Sequence, residues 1–471
     1  MKISRKLTVG ALAMALLAGG LSSCATPSAP PPSTTAPASS AQSSASVDNP
    51  FGLADGSTID AVIFDGGYGT DYVDYAGTVL KKKFPGVTVK VTPSTTLGAE
   101  LQPRFVGGNP PDLLDNQGRY TIPISSIIDQ LATYDEFWNV VGYDGVPVKD
   151  AVMDGVKATG TYNGKFIIIP YVMTLYAFYY SKSMFDEKGY TLPQTWDEAM
   201  TLCQAAKKND QYLFTWGKEA ADYWRWMILD SIMKQGGPDV INPILNLTPG
   251  AWSNETAQLV LGKFKALIDA GCFIPGGAGT QFTAAQAQWS NDKKALMYYT
   301  GSWIENEMKT ATAANFQMTA WPVMVADTTT AKYPFKAVDA GADEKFVVPA
   351  QGANKAGGFE LMRAMLSKDA AANFAKTRLA PTVVKDTVPA DGFGSTALAS
   401  TSKLIADSGT DAFALQGTNY TVYYGLQADT ISLWNSFLSG DLTLAQLTAQ
   451  EEALAAKAAA DTNIPRLTFN L

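Results

Sequence analysis

Histidine is absent from all 471 residues of the chain. Ser-His-Asp and Cys-His catalytic arrangements are therefore excluded, as are most zinc sites, because all of them depend on imidazole. A G-x-x-x-x-G-K-[ST] phosphate loop is also absent, so the chain carries no P-loop for nucleotide hydrolysis. The composition does not exclude hydrolysis by a pair of carboxyl groups, because acidic residues are abundant. We predict no catalytic residue, no metal site and no cofactor.

The chain has fewer basic residues than acidic ones, 36 against 44. The formal net charge is −8, and residues 1–23 hold Lys2, Arg5 and Lys6 without any acid. The rest of the chain therefore carries three more net negative charges than the whole. A phosphate backbone would repel such a body, which makes nucleic acid a poor partner. The anionic face of a bilayer would repel it too, so any membrane attachment must come from something other than charge.

The first 24 residues predict the compartment. A basic start is followed by the apolar stretch Leu7–Gly20, which is too short for a transmembrane helix and suits a signal peptide over residues 1–23. It ends in Leu21-Ser22-Ser23-Cys24, which resembles the lipobox of bacterial lipoproteins. An ordinary secretory signal with an incidental cysteine is the alternative. We expect a lipid on Cys24 and a place on the outer face of the cytoplasmic membrane, with this anchor as the only membrane contact.

A low-complexity segment follows the signal. Residues 25–50 are almost entirely Ala, Ser, Pro and Thr, which bury too little apolar area to offset the entropy of ordering. We predict a disordered linker over residues 24–56. The two other cysteines are Cys203 and Cys272. A disulfide between them is allowed outside the cytoplasm, and two buried thiols are the alternative.

The body opens with a strand–helix–strand pattern. Thr58–Phe64 is a mostly apolar run typical of a strand, and apolar residues from Tyr72 to Leu80 recur at helical spacing. Alternating valines from Val87 to Val91 indicate a second strand. Such units build parallel sheets with helices on both faces.

Helix boundaries are marked further along the chain. Thr195 and Glu198 form a capping box for a helix from Trp196 to about Lys207. Phe359 to Lys376 indicates two helical pieces broken near Ser367, and Thr443 caps a final alanine-rich helix. We predict an α/β fold of two lobes with a ligand in the cleft between them.

Five segments, in order along the chain, resemble those of the sugar-binding proteins of bacterial ABC importers. They are Phe84–Val89, Gly107–Leu114, Thr161–Tyr171, Tyr179–Glu198 and Lys294–Trp303. The last contains Lys294-Ala295-Leu296-Met297 and Gly301-Ser302-Trp303, similar to "K-A-A-M…G-S/P-W". Within the family, Gly160–Lys165 and Leu192–Glu198 are most similar to the group that binds N-acetylglucosamine and diacetylchitobiose.

The resemblance implies a periplasmic-binding-protein-like fold in which the chain crosses three times between lobes. Lobe one would hold 57–171 plus 344–395, and lobe two 172–343 plus 396–471, with a hinge strand near Pro170–Tyr171. It implies a monomer that captures a sugar and delivers it to the permease subunits of an importer. The same fold with another oligosaccharide, a polyol or an osmolyte is one alternative, and a secreted glycosidase is another.

The candidate ligand-binding residues combine flat aromatic surfaces with polar groups, as a sugar requires. Trp303 resembles the family's stacking tryptophan, with a core position as its alternative. Three aromatics near residue 225 cannot all face one core, a polar turn follows the strand at Leu113–Leu114, and a glycine-rich loop follows the first strand. Two tyrosines lie near the last expected crossing. The candidates are Trp303, Tyr223, Trp224, Trp226, Asp115, Asn116, Gln117, Tyr68, Asp71, Tyr423 and Tyr424.

Overall fold

A computed structural model describes residues 44–118, 120–162, 164–415 and 420–471. The predicted signal peptide, Cys24 and the linker up to residue 43 lie outside the described residues, as does Asn163 of the Thr161–Tyr171 segment. None of the helices in the described ranges combines the length and the apolar character that crossing a membrane requires.

The predicted strand–helix–strand unit is confirmed at the start of the body. Strand β1 pairs in parallel with β2, and α1 connects them. The strands of the described ranges are β1 (Thr58–Phe64), β2 (Thr88–Ser94), β3 (Leu113–Asp115), β4 (Thr161–Tyr162), β5 (Lys165–Phe166), β6 (Ile169–Ser181), β7 (Tyr212–Phe214), β8 (Ala295–Gly301), β9 (Met318–Trp321) and β10 (Asp339–Val347).

The helices surround these strands. They are α1 (Asp71–Lys81), α2 (Leu97–Val106), α3 (Ile124–Ile127), α4 (Val148–Ala151), α5 (Val156–Thr159), α6 (Lys182–Lys188), α7 (Trp196–Lys207), α8 (Asp222–Gly236), α9 (Pro238–Leu245), α10 (Glu255–Asp269), α11 (Phe282–Ser290), α12 (Ile304–Met308), α13 (Lys355–Met365), α14 (Lys368–Arg378), α15 (Thr396–Ser408), α16 (Tyr420–Tyr423), α17 (Gln427–Leu438) and α18 (Leu444–Ala460).

Local capping signals decide several of these boundaries as predicted. The Thr195–Glu198 capping box opens α7, because each side chain satisfies a backbone N–H that the first turn leaves unpaired. Ser367 lies at the break between α13 and α14 and caps the start of α14 by accepting a hydrogen bond from the Ala370 N–H. Thr443 caps α18 in the same manner.

One large sheet runs through the body. Its strand order is β2-β1-β3-β10-β6-β8-β7, with β9 also paired to β6. Strands β1, β2 and β3 are parallel, whereas β10 is antiparallel to both of its neighbours, β3 and β6. The late strand β10 therefore lies between elements that precede it by more than 150 residues, which only tertiary pairing can arrange.

Two large hydrophobic cores share this sheet. We call the core that includes Ile59, Leu113 and Phe346 the N-core, and the core that includes Trp224, Phe264 and Trp434 the C-core. The long strand β6 contributes to both: Ile169, Tyr171 and Val172 belong to the N-core, and Tyr176, Phe178 and Tyr180 to the C-core. The strand therefore passes from one core to the other between residues 172 and 176.

A disulfide joins Cys203 on α7 to Cys272, which follows α10, with their Cα atoms 5.6 Å apart. Of the two alternatives that the sequence left open, the structure has the bonded one. The bond lies inside the C-core, where both residues are fully buried.

Candidate functional site

Four aromatic side chains meet where the two cores adjoin, and we call Tyr176, Tyr223, Trp226 and Trp303 the aromatic cluster. Tyr223 stacks on Trp226 with ring centroids 4.5 Å apart and planes 23° apart. Tyr176 presents its edge to Trp303 at 5.6 Å and to Trp226 at 6.0 Å. Three of the four were sequence candidates. Tyr176 was missed because it lies inside an unbroken apolar strand, where an aromatic residue gives no separate signal.

Trp303 is half-buried and packs against both the N-core and the C-core. Its indole lies against the loop after β1, since a Cβ added to Gly67 would come within 3.4 Å of it. One turn later, Asn306 donates a side-chain hydrogen bond to the Gly67 carbonyl. The residue therefore occupies a junction between two cores and keeps part of its ring exposed.

Helix α8 separates its aromatic residues by face. Tyr223 and Trp226 are three positions apart and lie on one side, toward Trp303. Trp224 points the other way, is 1% exposed, and packs among Phe178, Phe214, Phe264 and Phe273. All three nevertheless pack in or against the C-core, so the expectation that they cannot all face one core is wrong. Trp224, however, is a core residue with no surface to offer a ligand in this structure.

A buried carboxyl pair lies next to this junction. Asp115, at the end of β3, and Glu344, on β10, lie on neighbouring paired strands, and the charge of Asp115 acts on Glu344. The Tyr72 hydroxyl donates to Asp115 Oδ2 over 3.5 Å. Burial is the main cause that raises the pKa of Asp115 to about 7, and burial together with the Asp115 charge raises the pKa of Glu344 well above its usual range.

The backbone at Glu344 is unusual, because its φ of 57° is in the left-handed region that non-glycine residues seldom occupy. The ladder with β6 pairs Asp343 with Val172 and Lys345 with Pro170 on either side of this residue. The register with β6 is the same on both sides of Glu344, so the change is local to this residue's backbone, and strained residues of this kind concentrate at functional sites. Here it directs the Glu344 carboxyl toward Asp115.

A second carboxyl pair lies on the C-core side. Asp230, one turn after Trp226 on α8, interacts with Asp339 at the start of β10, and burial and the Asp339 charge raise its pKa well above the usual range. The Tyr299 hydroxyl donates to Asp230 Oδ2 over 2.7 Å. Asp339 pairs with Tyr176 in the sheet, which ties this pair to the aromatic cluster. No combination of described Asp, Glu and Cys residues forms a metal-binding cluster.

Sequence reasoning missed Asp230, Asp339, Asp343 and Glu344. The last three lie on β10, whose sequence places three acids in a strand that also contains buried alanines. Acidic residues in a buried strand are costly unless paired, so this pattern was a signal that could have been used.

The other candidates lie in different environments. The Asn116 side-chain nitrogen donates to the Ile122 carbonyl at 2.8 Å, and its side-chain oxygen accepts from the Ile122 N–H at 3.0 Å. Asn116 therefore fixes a loop. Gln117 accepts a hydrogen bond from Lys345 over 3.0 Å, beside the carboxyl pair. Asp71 is exposed and ion-paired with Arg378, whose hydrogen bond lowers the pKa of Asp71. Tyr68 is buried next to Phe374, and burial, followed by the Glu344 charge, raises the pKa of Tyr68.

Tyr423 and Tyr424 are not part of the aromatic cluster. The Tyr423 hydroxyl donates to the Pro465 carbonyl at 2.7 Å, and the Tyr424 hydroxyl accepts from the Leu467 N–H at 2.9 Å. These two side chains therefore hold the C-terminal segment against the body.

The arrangement as a whole combines flat apolar ring faces with buried oxygen acceptors. Aromatic faces suit the C–H face of a small polar ligand, and carboxylate oxygens accept hydrogen bonds from its polar groups. The aromatic cluster, together with the acids of β3, β10 and α8, therefore makes the junction of the two cores the candidate binding site.

Comparison with known proteins gives this geometry a context. Residues 53–372 match the family described as bacterial extracellular solute-binding protein. The chain is 48% identical to the diacetylchitobiose-binding protein of Streptomyces coelicolor over 463 residues, which cover 98% of this chain and 97% of that one.

Solved structures have the same fold at low sequence identity. A chitin oligosaccharide-binding protein superposes with a TM-score of 0.66 at 16% identity, over 86% of this chain and 99% of that one. A solute-binding protein in complex with raffinose also gives 0.66, at 18% identity, over 86% of this chain and 100% of that one. The fold is therefore the two-lobed α/β fold that the sequence predicts.

Proposed function

Because the chain belongs to the bacterial extracellular solute-binding protein family, we propose that it captures diacetylchitobiose, or N-acetylglucosamine, and delivers the sugar to an ABC importer. The observation that carries the proposal is the aromatic cluster at the junction of the two cores, together with 48% identity to a diacetylchitobiose-binding protein along nearly the whole chain. In this proposal Trp303 and Tyr223 stack against pyranose rings, and Trp226 and Tyr176 support them.

The lobe boundaries belong to the same proposal: 57–171 plus 344–395 for lobe one, and 172–343 plus 396–471 for lobe two. Core membership supports them, since Phe346 and Val384 pack in the N-core and Phe413 and Trp434 in the C-core. Strands β6 and β10 would be two of the crossings, and the lobes would close around ligand by hinge motion.

Anchoring is proposed from the sequence. Removal of residues 1–23 and diacylglyceryl attachment to Cys24 would hold a monomeric body outside the cytoplasmic membrane by its linker, next to the permease. The support is the coincidence of a basic start, a short apolar stretch and small residues before a cysteine.

Calorimetric titration of the mature protein with diacetylchitobiose tests the sugar, with maltose as the comparison. We expect saturable 1:1 binding of diacetylchitobiose, and a thermal stabilisation of about 2.7 kcal/mol when the sugar is present at 100 times its Kd. Chromatography of the same samples checks for cleavage products. Steady hydrolysis would favour the glycosidase alternative, and selective binding of another sugar would replace the proposed ligand.

A further inference from the structure

Asn306 is a polar residue that the fold buries. It lies on α12 between Ile304 and Met308, both of which belong to a third hydrophobic core that also includes Leu175 and Tyr298. Asn306 is only 7% exposed. A buried amide lowers stability unless its oxygen and nitrogen find hydrogen-bond partners. The partners of Asn306 therefore indicate why an amide is present at this position.

Both ends of the Asn306 amide are hydrogen-bonded. Its Nδ2 donates to the backbone carbonyl of Gly67, in the loop between β1 and α1. Lys309 Nζ donates to the Asn306 Oδ1 over 3.1 Å. An ammonium group can only donate, so it binds the oxygen of the amide and leaves the nitrogen facing the Gly67 carbonyl. Lys309 therefore orients Asn306 for its bond to the loop.

The bond between Asn306 and Gly67 joins two parts of the chain that pack in different cores. Tyr68, the residue after Gly67, belongs to the N-core, whereas α12 contributes to the third core. Under the proposed boundaries, Gly67 lies in lobe one and Asn306 in lobe two. Neither residue lies in a strand, so their bond is separate from the strands that connect the lobes. It can therefore form and break as the lobes move.

Trp303 contacts the same glycine. Trp303 and Asn306 are three positions apart at the start of α12, which places their side chains on one face of the helix. A Cβ added to Gly67 would lie 3.4 Å from the Trp303 side chain, so the glycine backbone already lies against the indole. The Asn306 bond holds the carbonyl of the residue on which Trp303 packs. The position of the loop against the proposed stacking residue therefore depends on Asn306.

We infer that Asn306 is a positioning residue: its bond to Gly67 stabilises the closed arrangement of the two lobes and so sets the affinity for every sugar that the site accepts. This rests on the proposed function, because only a site that closes around its ligand gains affinity from such a contact. Removal of the bond lowers the closed fraction, and that fraction multiplies the affinity of every ligand alike. A neutral hydrogen bond that water can replace shifts such an equilibrium about two- to twelvefold.

Calorimetric titration with two probes tests the effect on binding. The probes are diacetylchitobiose and N-acetylglucosamine, titrated into the mature protein and into Asn306→Ala. We expect the Kd of both sugars to rise by the same factor, about two- to twelvefold. The ratio of the two affinities should stay that of the unaltered protein. A direct contact between Asn306 and one ring of the disaccharide would instead change this ratio.

Hydrogen exchange of the unliganded protein tests the contact without any sugar. The backbone amides of the loop 65–70 and of α12 should exchange faster in Asn306→Ala than in the unaltered protein. The reason is that the closed arrangement that protects them becomes less populated. A residue that only binds sugar would leave this exchange unchanged.

Two more variants examine the orientation of the amide. Asn306→Asp keeps the size of the side chain but replaces the N–H donor with an oxygen that repels the Gly67 carbonyl, so the Kd values should rise at least as far as in Asn306→Ala. Lys309→Met removes the donor that orients the amide and should give a smaller change in the same direction. Combined with Asn306→Ala, Lys309→Met should add no further change, since both act on one bond.

Asn435→Ala is the matched control. Asn435, on α17, also donates its amide to a backbone carbonyl of another element, that of Lys218, over 2.8 Å. Both of these residues lie in the proposed lobe two. Loss of this bond affects stability within one lobe, and it should leave both affinities and the exchange of the loop 65–70 unchanged.

The outcomes separate the two proposals. Equal weakening of both sugars together with faster exchange of the loop supports the positioning role. Unchanged affinities, unchanged exchange, a changed affinity ratio, or the same loss of affinity in Asn435→Ala overturns it and leaves the proposed function standing. If neither sugar binds the unaltered protein, the proposed ligands are wrong, and the exchange measurement by itself decides whether Asn306 holds the lobes together.

Discussion

Replacing Trp303 with alanine separates a stacking residue from a structural one. The ring is half-buried and already contacts Tyr176 and Tyr223, so its removal also costs packing. Full burial of a tryptophan would make that cost about 3–5 kcal/mol, and a half-buried ring should lose roughly half of it. Loss of the ring face that meets a sugar adds about 1–3 kcal/mol to the binding free energy, or a roughly 5- to 150-fold weaker Kd.

Trp138→Ala is the matched control. Trp138 is also half-buried and presents an edge contact to Phe166 at 5.2 Å, but it packs against the N-core away from the aromatic cluster. Melting of the unliganded proteins measures the stability cost, which should be similar for the two variants. Calorimetric titration should then show weaker sugar binding only for Trp303→Ala. If both variants melt earlier and both keep the affinity of the unaltered protein, Trp303 has a structural role and the stacking argument is wrong.

Two further predictions concern the anchor and a buried ion pair. Cys24→Ser should move the protein from the membrane fraction into the medium, or leave an unprocessed precursor; a processed variant that stays on the membrane contradicts the lipid anchor. Glu451→Gln should lower the free energy of unfolding in urea by about 3–5 kcal/mol, because Arg225, bonded to Glu451 at 2.8 and 3.1 Å, loses a bidentate partner at 1–2% exposure. Lys457→Ala on the same helix breaks an exposed pair and should cost less than about 1 kcal/mol, so equal losses would refute this reasoning.

Much of the local structure could be predicted because its signals lie within one turn or one strand. The apolar run of β1, the capping box of α7 and the break at Ser367 each depend on residues a few positions apart. The two-lobed fold followed from the alternation of these elements and from the resemblance of five segments to one family.

The face of a helix was harder to predict. All but Tyr223 and Gly236 of the fifteen residues of α8 are buried, so the helix has no exposed face from which its side toward Trp303 could be predicted. Only packing against β6 and β8 directs Tyr223 and Trp226 one way and Trp224 the other. Asn116 shows the same limit, since a side chain at a strand end was expected to bind ligand and instead satisfies a backbone loop.

The sequence by itself determined the family, the compartment signals and the positions of most elements, because periodicity, caps and short motifs act over a few residues. Only the tertiary structure brought Asp115 beside Glu344, more than 200 residues away, and Asp230 beside Asp339. The physical reason is that β10 inserts between β3 and β6, and no local pattern encodes that strand order. Burial in that position raises the pKa of Asp115 and Glu344, which distinguishes these two acids from the exposed acids of the chain.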